Sequence, residues 1–118
     1  LIHPTAILSP SVKLGNGVGI KSFCVLASDV VVEDFTFLQS SVIMGHDVQI
    51  GRFCQVNSFS FFAGHVKVQN MVSVNAGARI IQNVVIEEES VVGIGSVVLH
   101  RVKKNTTVFG NPAKRIIL

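Results

Sequence analysis

The chain has no tryptophan and no tyrosine among its 118 residues, and only two cysteines. Without those two aromatics there is no broad platform for stacking bases. No basic helix is discernible either, so a nucleic-acid partner is not expected. No run of about 18 apolar residues occurs, which excludes an apolar helix spanning a bilayer. A charged start followed by an apolar stretch is also missing, so no secretory signal is visible, and a reducing cytoplasm is expected from two cysteines read as reduced thiols. Charge is sparse, at 14% of residues with a net charge of +3, and its basic part gathers late, at Arg101, Lys103, Lys104, Lys114 and Arg115. The chain opens on Leu1 rather than Met and is read as a fragment or a processed product.

What is abundant is Val and Ile, a composition that suits strands rather than helices. Their placement is strictly periodic. Every sixth residue from Ile2 through Leu8, Leu14 and Ile20 to Val98 is a large apolar one, seventeen positions of seventeen. Four residues after each stands a small or β-branched side chain, as at Ala6, Val12, Cys24, Thr36, Ser60 and Ser96. A period of six fits neither a 3.6-residue helix nor a plain alternating strand. It is the mark of a hexapeptide β-solenoid in which each hexad builds one side of a coil. With three hexads per coil, residues eighteen apart stack, so Ile2, Ile20, Leu38, Val56, Val74 and Val92 form one interior column. The array is expected over residues 2–103, roughly 27 Å tall at about 4.8 Å per strand. A cap over 104–118 follows, with a short strand at Thr107 to Phe109 and a loop at Gly110 to Pro112. Cys24 and Cys54, thirty apart, fall on different sides of the prism and are expected to be buried thiols rather than a disulfide.

The outward positions differ from side to side. One column reads Ile7, Val25, Ile43, Phe61, Arg79, Val97 and is largely apolar. A second reads Lys13, Val31, Gln49, Lys67, Val85, Lys103 and is far wetter. Phe35, Phe53 and Phe59 are also predicted to point outward. An exposed apolar stripe needs cover, and a cyclic homo-oligomer supplies it simply.

The segment SSVIMGHDVQIG carries the candidate chemistry. His46, predicted outward between Gly45 and Asp47, is placed to act as a general base, because an adjacent carboxylate fixes its tautomer. His65 follows Asp47 by eighteen residues and should stack on it as a structural partner. His100 is three coils away from His46, and His3 belongs to an opening turn. Zinc usually needs three or four clustered ligands, and no two histidines lie at a short interval, so no metal is expected. Ser28, one coil before His46, lacks a sequence-defined oxyanion site, and Cys54 is inward and inert.

The hexads, together with GHDVQIG, AGHVKV and the terminal FGNPAKRI, resemble the C-terminal domain of bacterial hexapeptide acetyltransferases of the sialic-acid O-acetyltransferase and nucleotide-amino-sugar N-acetyltransferase type. The resemblance covers essentially the whole chain, residues 1–118. It implies an all-β, single-stranded left-handed parallel β-helix that forms a homotrimer, with acetyl-CoA lying in the groove between subunits. It implies that His46 removes a proton from the acceptor amine or hydroxyl, and that Asp47, usually Glu in the family, tunes it. Gly64 would offer a backbone N–H to the thioester carbonyl, Ala76 and Ile94 would line the pantetheine path, and Gly110 to Arg115, including Lys114, would approach the nucleotide end. Gln55 stands where members often have a second histidine. The N-terminal sugar-nucleotide-binding domain common in the family is not in this sequence. The activity implied is transfer of acetyl to an amine or hydroxyl of a sugar, in particular a nucleotide-activated one. A non-catalytic trimerisation or binding scaffold, or a metal-dependent hydratase, are the competing classes, and the acceptor and the choice of nitrogen or oxygen stay open.

Overall fold

The hexads fold as their spacing demands. In the computed structural model, which describes residues 1–117, two-residue strands recur at every hexad from Ile7–Leu8 to Val97–Val98. They assemble into three sheets of six, five and seven strands, parallel throughout except for the last strand of the third, and the described residues contain no helix. The fold is the left-handed parallel β-helix expected from the sequence, a solenoid of about six turns. The first face carries the strands Ile7–Leu8, Val25–Leu26, Ile43–Met44, Phe61–Phe62, Arg79–Ile80 and Val97–Val98. The second begins at Lys13–Leu14 and ends at Val85–Ile86, and the third begins at Gly19–Ile20. Each strand pairs with the one eighteen residues on, as Ile43 with Phe61 and Gln55 with Ser73.

Within each two-residue strand the second side chain points inward. Leu38, Val56, Val74 and Val92 are fully buried in the predicted interior column. Phe62, packed between the rungs of Met44 and Ile80, is the bulkiest fully buried side chain. The small inward positions include polar groups, and each is satisfied. Thr36 donates its hydroxyl to the Gly51 carbonyl at 2.6 Å and accepts the Cys54 N–H at 3.0 Å. Cys24 and Cys54 are free, as expected, and burial raises both thiols above their ordinary value.

The corners have an unusual backbone. Every sixth residue from Gly17 to Gly95 has a positive φ, and eleven of these are not glycine, including Phe35, Asp47, Phe53 and His65. This left-handed conformation costs about 1–2 kcal/mol for a residue with a Cβ. The compensation is a backbone hydrogen bond to the coil below. The Asp47 N–H donates to the Ser28 carbonyl and the His65 N–H to the His46 carbonyl, both at 3.0 Å. Above the first coil the hydroxyls of Thr5 and Ser11 accept from the Phe23 and Asp29 N–H groups instead. His3 holds Thr5 through its Nδ1 at 2.8 Å, which gives it the structural role predicted for the opening turn.

The register changes near the top, earlier than the periodicity predicts. Val102 pairs with Ile86 and Val108 with Val92, intervals of sixteen rather than eighteen. Lys103 therefore leaves the column headed by Lys13, and its carbonyl accepts the Ser90 hydroxyl at 2.8 Å. Glu87 secures this shortened turn, accepting from the Arg101 guanidinium at 2.6 Å and from the Lys104 N–H at 3.3 Å. The Arg101 bond holds the Glu87 carboxyl below its ordinary value. The cap strand Thr107–Phe109 falls where expected, and the turn at Gly110 to Pro112 leads to a strand the sequence did not announce, Lys114–Arg115, antiparallel to it. These extra rungs lengthen the molecule to 39 Å, beyond the height expected for the repeats alone. Leu118, the last residue of the expected cap, lies outside the described residues.

Truncating Phe62 to Ala would open a void in a one-layer core whose neighbours are fixed by backbone pairing. The substitution should cost about 3–5 kcal/mol. Denaturant unfolding followed by far-UV circular dichroism checks this; a loss under about 1 kcal/mol would mean that the column collapses to fill the gap.

Candidate functional site

His46 and Asp47 occupy the corner between the first and second faces, just after Ile43–Met44 and before Gln49–Ile50. The left-handed turn at Asp47 folds its carboxylate back toward the preceding imidazole. His46 Nδ1 lies 3.0 Å from Asp47 Oδ2. Both side chains are substantially exposed, at 59% and 42%. A carboxylate accepts only, so the bonded Nδ1 carries the proton and Nε2 is left with its lone pair.

That second nitrogen faces Gly64, one coil up. A Cβ built on Gly64 would stand 2.8 Å from His46 Nε2 and 3.0 Å from Cε1. Only a residue without a side chain leaves the imidazole where it is. The Gly64 N–H donates to no group among the described residues, while its carbonyl accepts from Asn83. The residue that the lone pair faces therefore keeps a free backbone donor. Gly45, which the sequence reading did not single out, contributes as well: a Cβ there would come within 3.0 Å of the Gly64 nitrogen.

His65 stacks on Asp47 as the eighteen-residue interval predicts. Its Nε2 is 3.8 Å from Asp47 Oδ2, too long for a hydrogen bond but within ion-pair range. The two imidazoles meet edge to face with centroids 5.0 Å apart. Two histidines and one carboxylate thus converge, their ligand atoms all within 4.8 Å of one another. The interval argument against a metal does not survive folding, because nineteen residues along this chain amount to one step up the prism.

The remaining predicted residues are not brought to this corner. Gln55 is exposed on the third face. Ala76 and the 65%-exposed Ile94 stack at the corner between the third and first faces, one edge of the prism away from His46. Gly110 and Lys114 belong to the cap, where Gly110 donates to Ser96 Oγ at 3.2 Å and Lys114 pairs with Phe109. A single copy therefore presents the predicted residues in four separate places: the His46–Gly64 corner, the third face, the third–first corner and the cap.

A sequence model described as the GMPPB C-terminal domain matches residues 1–78. The chain belongs to that hexapeptide-repeat family. Acetyltransferases are among the proteins of known structure that it resembles. The serine acetyltransferase of Buchnera aphidicola is 31% identical over 113 residues, covering 96% of this chain and 36% of that protein. PerB from Caulobacter crescentus, solved with CoA and GDP-perosamine, superposes with a TM-score of 0.96 at 33% identity, over 98% of this chain and 56% of that one. The acetyltransferase domain of PglB from Neisseria gonorrhoeae, solved with acetyl coenzyme A, gives 0.94 at 25% identity, over 98% and 57%. The chain spans between about a third and about three-fifths of these proteins.

Gly64→Ala tests how the corner holds its imidazole. The added methyl should displace the His46 ring and change its NMR side-chain resonances, while stability moves by no more than about 0.5 kcal/mol. Unchanged resonances would mean that the ring is not seated against Gly64.

Proposed function

We propose that this chain is the acyl-transfer solenoid of an acetyl-CoA-dependent acetyltransferase that acts on an amine or hydroxyl of a sugar, in particular a nucleotide-activated one. The observation that carries the proposal is the His46 Nδ1 to Asp47 Oδ2 bond, which leaves the Nε2 lone pair facing Gly64, a residue whose N–H is free among the described residues. The acceptor's N–H or O–H gives its proton to Nε2 as its heteroatom attacks the thioester carbonyl. The developing oxyanion is met by the Gly64 N–H. The tetrahedral adduct then collapses, the C–S bond breaks, and His46 returns the proton to the departing CoA sulfur. Asp47 keeps the ring in the productive tautomer and stabilises the imidazolium formed in between. No metal cofactor is required by this scheme.

The dispersal of Gln55, Ala76 and Ile94 over other corners supports a second proposal, a homotrimer in which one copy's third–first corner faces its neighbour's His46. Acetyl-CoA would lie in the groove so formed, its pantetheine along Ala76 and Ile94 and its phosphates toward Lys114 and Arg115, through charge-assisted bonds. We place the protein in the cytoplasm, in keeping with its two buried reduced thiols. The one-domain reading, repeats plus cap as the unit of transfer, follows the same scheme. The structural neighbours solved with GDP-perosamine favour a sugar acceptor. The serine acetyltransferase relatives favour a small hydroxyl acceptor handled by the same base.

His46→Ala should lower acetyl transfer by about 10²–10⁴-fold while acetyl-CoA still raises the melting temperature. Steady-state rates with amino-sugar nucleotides and with serine, beside a thermal-shift titration, check both points. Wild-type rates in the variant would remove His46 from the chemistry. No stabilisation by CoA or acetyl-CoA would favour a binding scaffold without catalysis.

A further inference from the structure

We propose that His46, Asp47 and His65 form a site for a divalent transition-metal ion of the zinc type, and that its occupancy shuts off the base. The donors are two imidazole nitrogens and one carboxylate oxygen, a set suited to zinc, cobalt and nickel. The ligands of a tetrahedral zinc ion lie about 3.4 Å from one another, given bonds of about 2.0–2.1 Å. Two of the three separations, 3.0 Å from Asp47 Oδ2 to His46 Nδ1 and 3.8 Å to His65 Nε2, bracket that value, and all three ligand atoms lie within 4.8 Å of one another. Small rotations of two exposed rings would bring all three atoms into a shell, with a fourth position open to water.

The backbone supports the cluster independently of the side chains. Asp47 and His65 occupy equivalent left-handed corner positions in successive coils, with φ of 60° and 63°. The His65 N–H donates to the His46 carbonyl at 3.0 Å, so the two histidine backbones are tied directly. Three donors on one rigid corner lose little freedom on binding an ion, which separates this group from scattered surface histidines such as His3 and His100.

The consequence for catalysis follows from where the ion attaches. Coordination through His46 Nδ1 displaces the proton now shared with Asp47, and a neutral ring ligated at Nδ1 carries its proton on Nε2. The lone pair that faces Gly64 is then lost, and Asp47 is spent on the metal. Metal binding and acetyl transfer thus exclude each other at one imidazole. This inhibitory step rests on the acetyl-transfer reading; the binding step does not.

Isothermal titration of the whole chain with zinc chloride, beside cobalt(II) absorption in the visible, reads binding without any assay of activity. His65→Asn removes one ligand while keeping a residue that tolerates the left-handed turn, and His100→Ala serves as a distant control. One zinc per chain is expected for the wild type and for the control, with affinity about tenfold or more weaker in His65→Asn. No zinc binding by the wild type, or equal binding by His65→Asn, overturns the site. In a parallel transfer assay, zinc that binds without inhibiting overturns the switch. Zinc that binds a protein unable to acetylate any acceptor leaves the site standing and removes the functional reading instead.

Discussion

The structure depends on one constraint: parallel backbone pairing between residues eighteen apart. Two-residue strands are too short to hold together alone, and each gains its hydrogen bonds only from the coils above and below. Stability is therefore shared between neighbours rather than owned by any hexad. The same pairing obliges the chain to turn sharply three times per coil, and it does so by placing one residue per corner in the left-handed region. Glycine would be the easy choice there, yet Phe, Asp, His and Met are used. They are tolerated because the corner N–H then reaches the carbonyl of the coil below, as at Phe35, Asp47, His65 and Met71.

That corner geometry is also what builds the candidate site. A left-handed residue throws its side chain outward and back along the chain, so Asp47 meets the histidine that precedes it rather than one that follows. Stacking then brings Gly64 and His65 to the same spot from the next coil. None of these four positions relies on a flexible loop. The imidazole is fixed on three sides by the Asp47 carboxylate, the bare Gly64 backbone and the edge of the His65 ring. This is the preorganisation a general base requires, obtained from repeat architecture alone.

Much of this was legible in the sequence because period six maps directly onto side-chain direction. The interior columns, the two buried thiols and the His65–Asp47 stack all follow from counting. The top of the prism was not legible in that way. Val102 satisfies the small-residue series by identity, yet it stacks on Ile86 because the turn before it is two residues shorter, and periodicity cannot see a deletion that restores an apolar residue. The strand Lys114–Arg115 carries no apolar pattern at all, since it pairs at an edge with both side chains in solvent. The three-ligand cluster escaped for a different reason. Linear spacing separates His46 from His65 by nineteen residues, and only the stacking of successive coils makes them neighbours.

The surface raises a question that the fold by itself leaves unanswered. Its area, 6341 Å², is close to the roughly 6,200 Å² expected of a compact monomer of 12.7 kDa, so the prism is not unusually open. It is unusually apolar. Seven of the eight phenylalanines are exposed, and only Phe62 is buried. Four of the exposed ones, Phe23, Phe35, Phe53 and Phe59, occupy the costly left-handed corners. A large aromatic at a strained, exposed position gains nothing from the interior, and the stacking of Phe35 on Phe53 at 5.5 Å offsets only part of that cost. An exposed apolar surface of this kind is what self-association would bury. The proposed trimer would cover part of this surface in the same stroke as it brings the scattered cofactor residues to His46, because Phe23 and Phe59 share the third–first corner with Ala76 and Ile94, whereas Phe35 and Phe53 lie at the second–third corner.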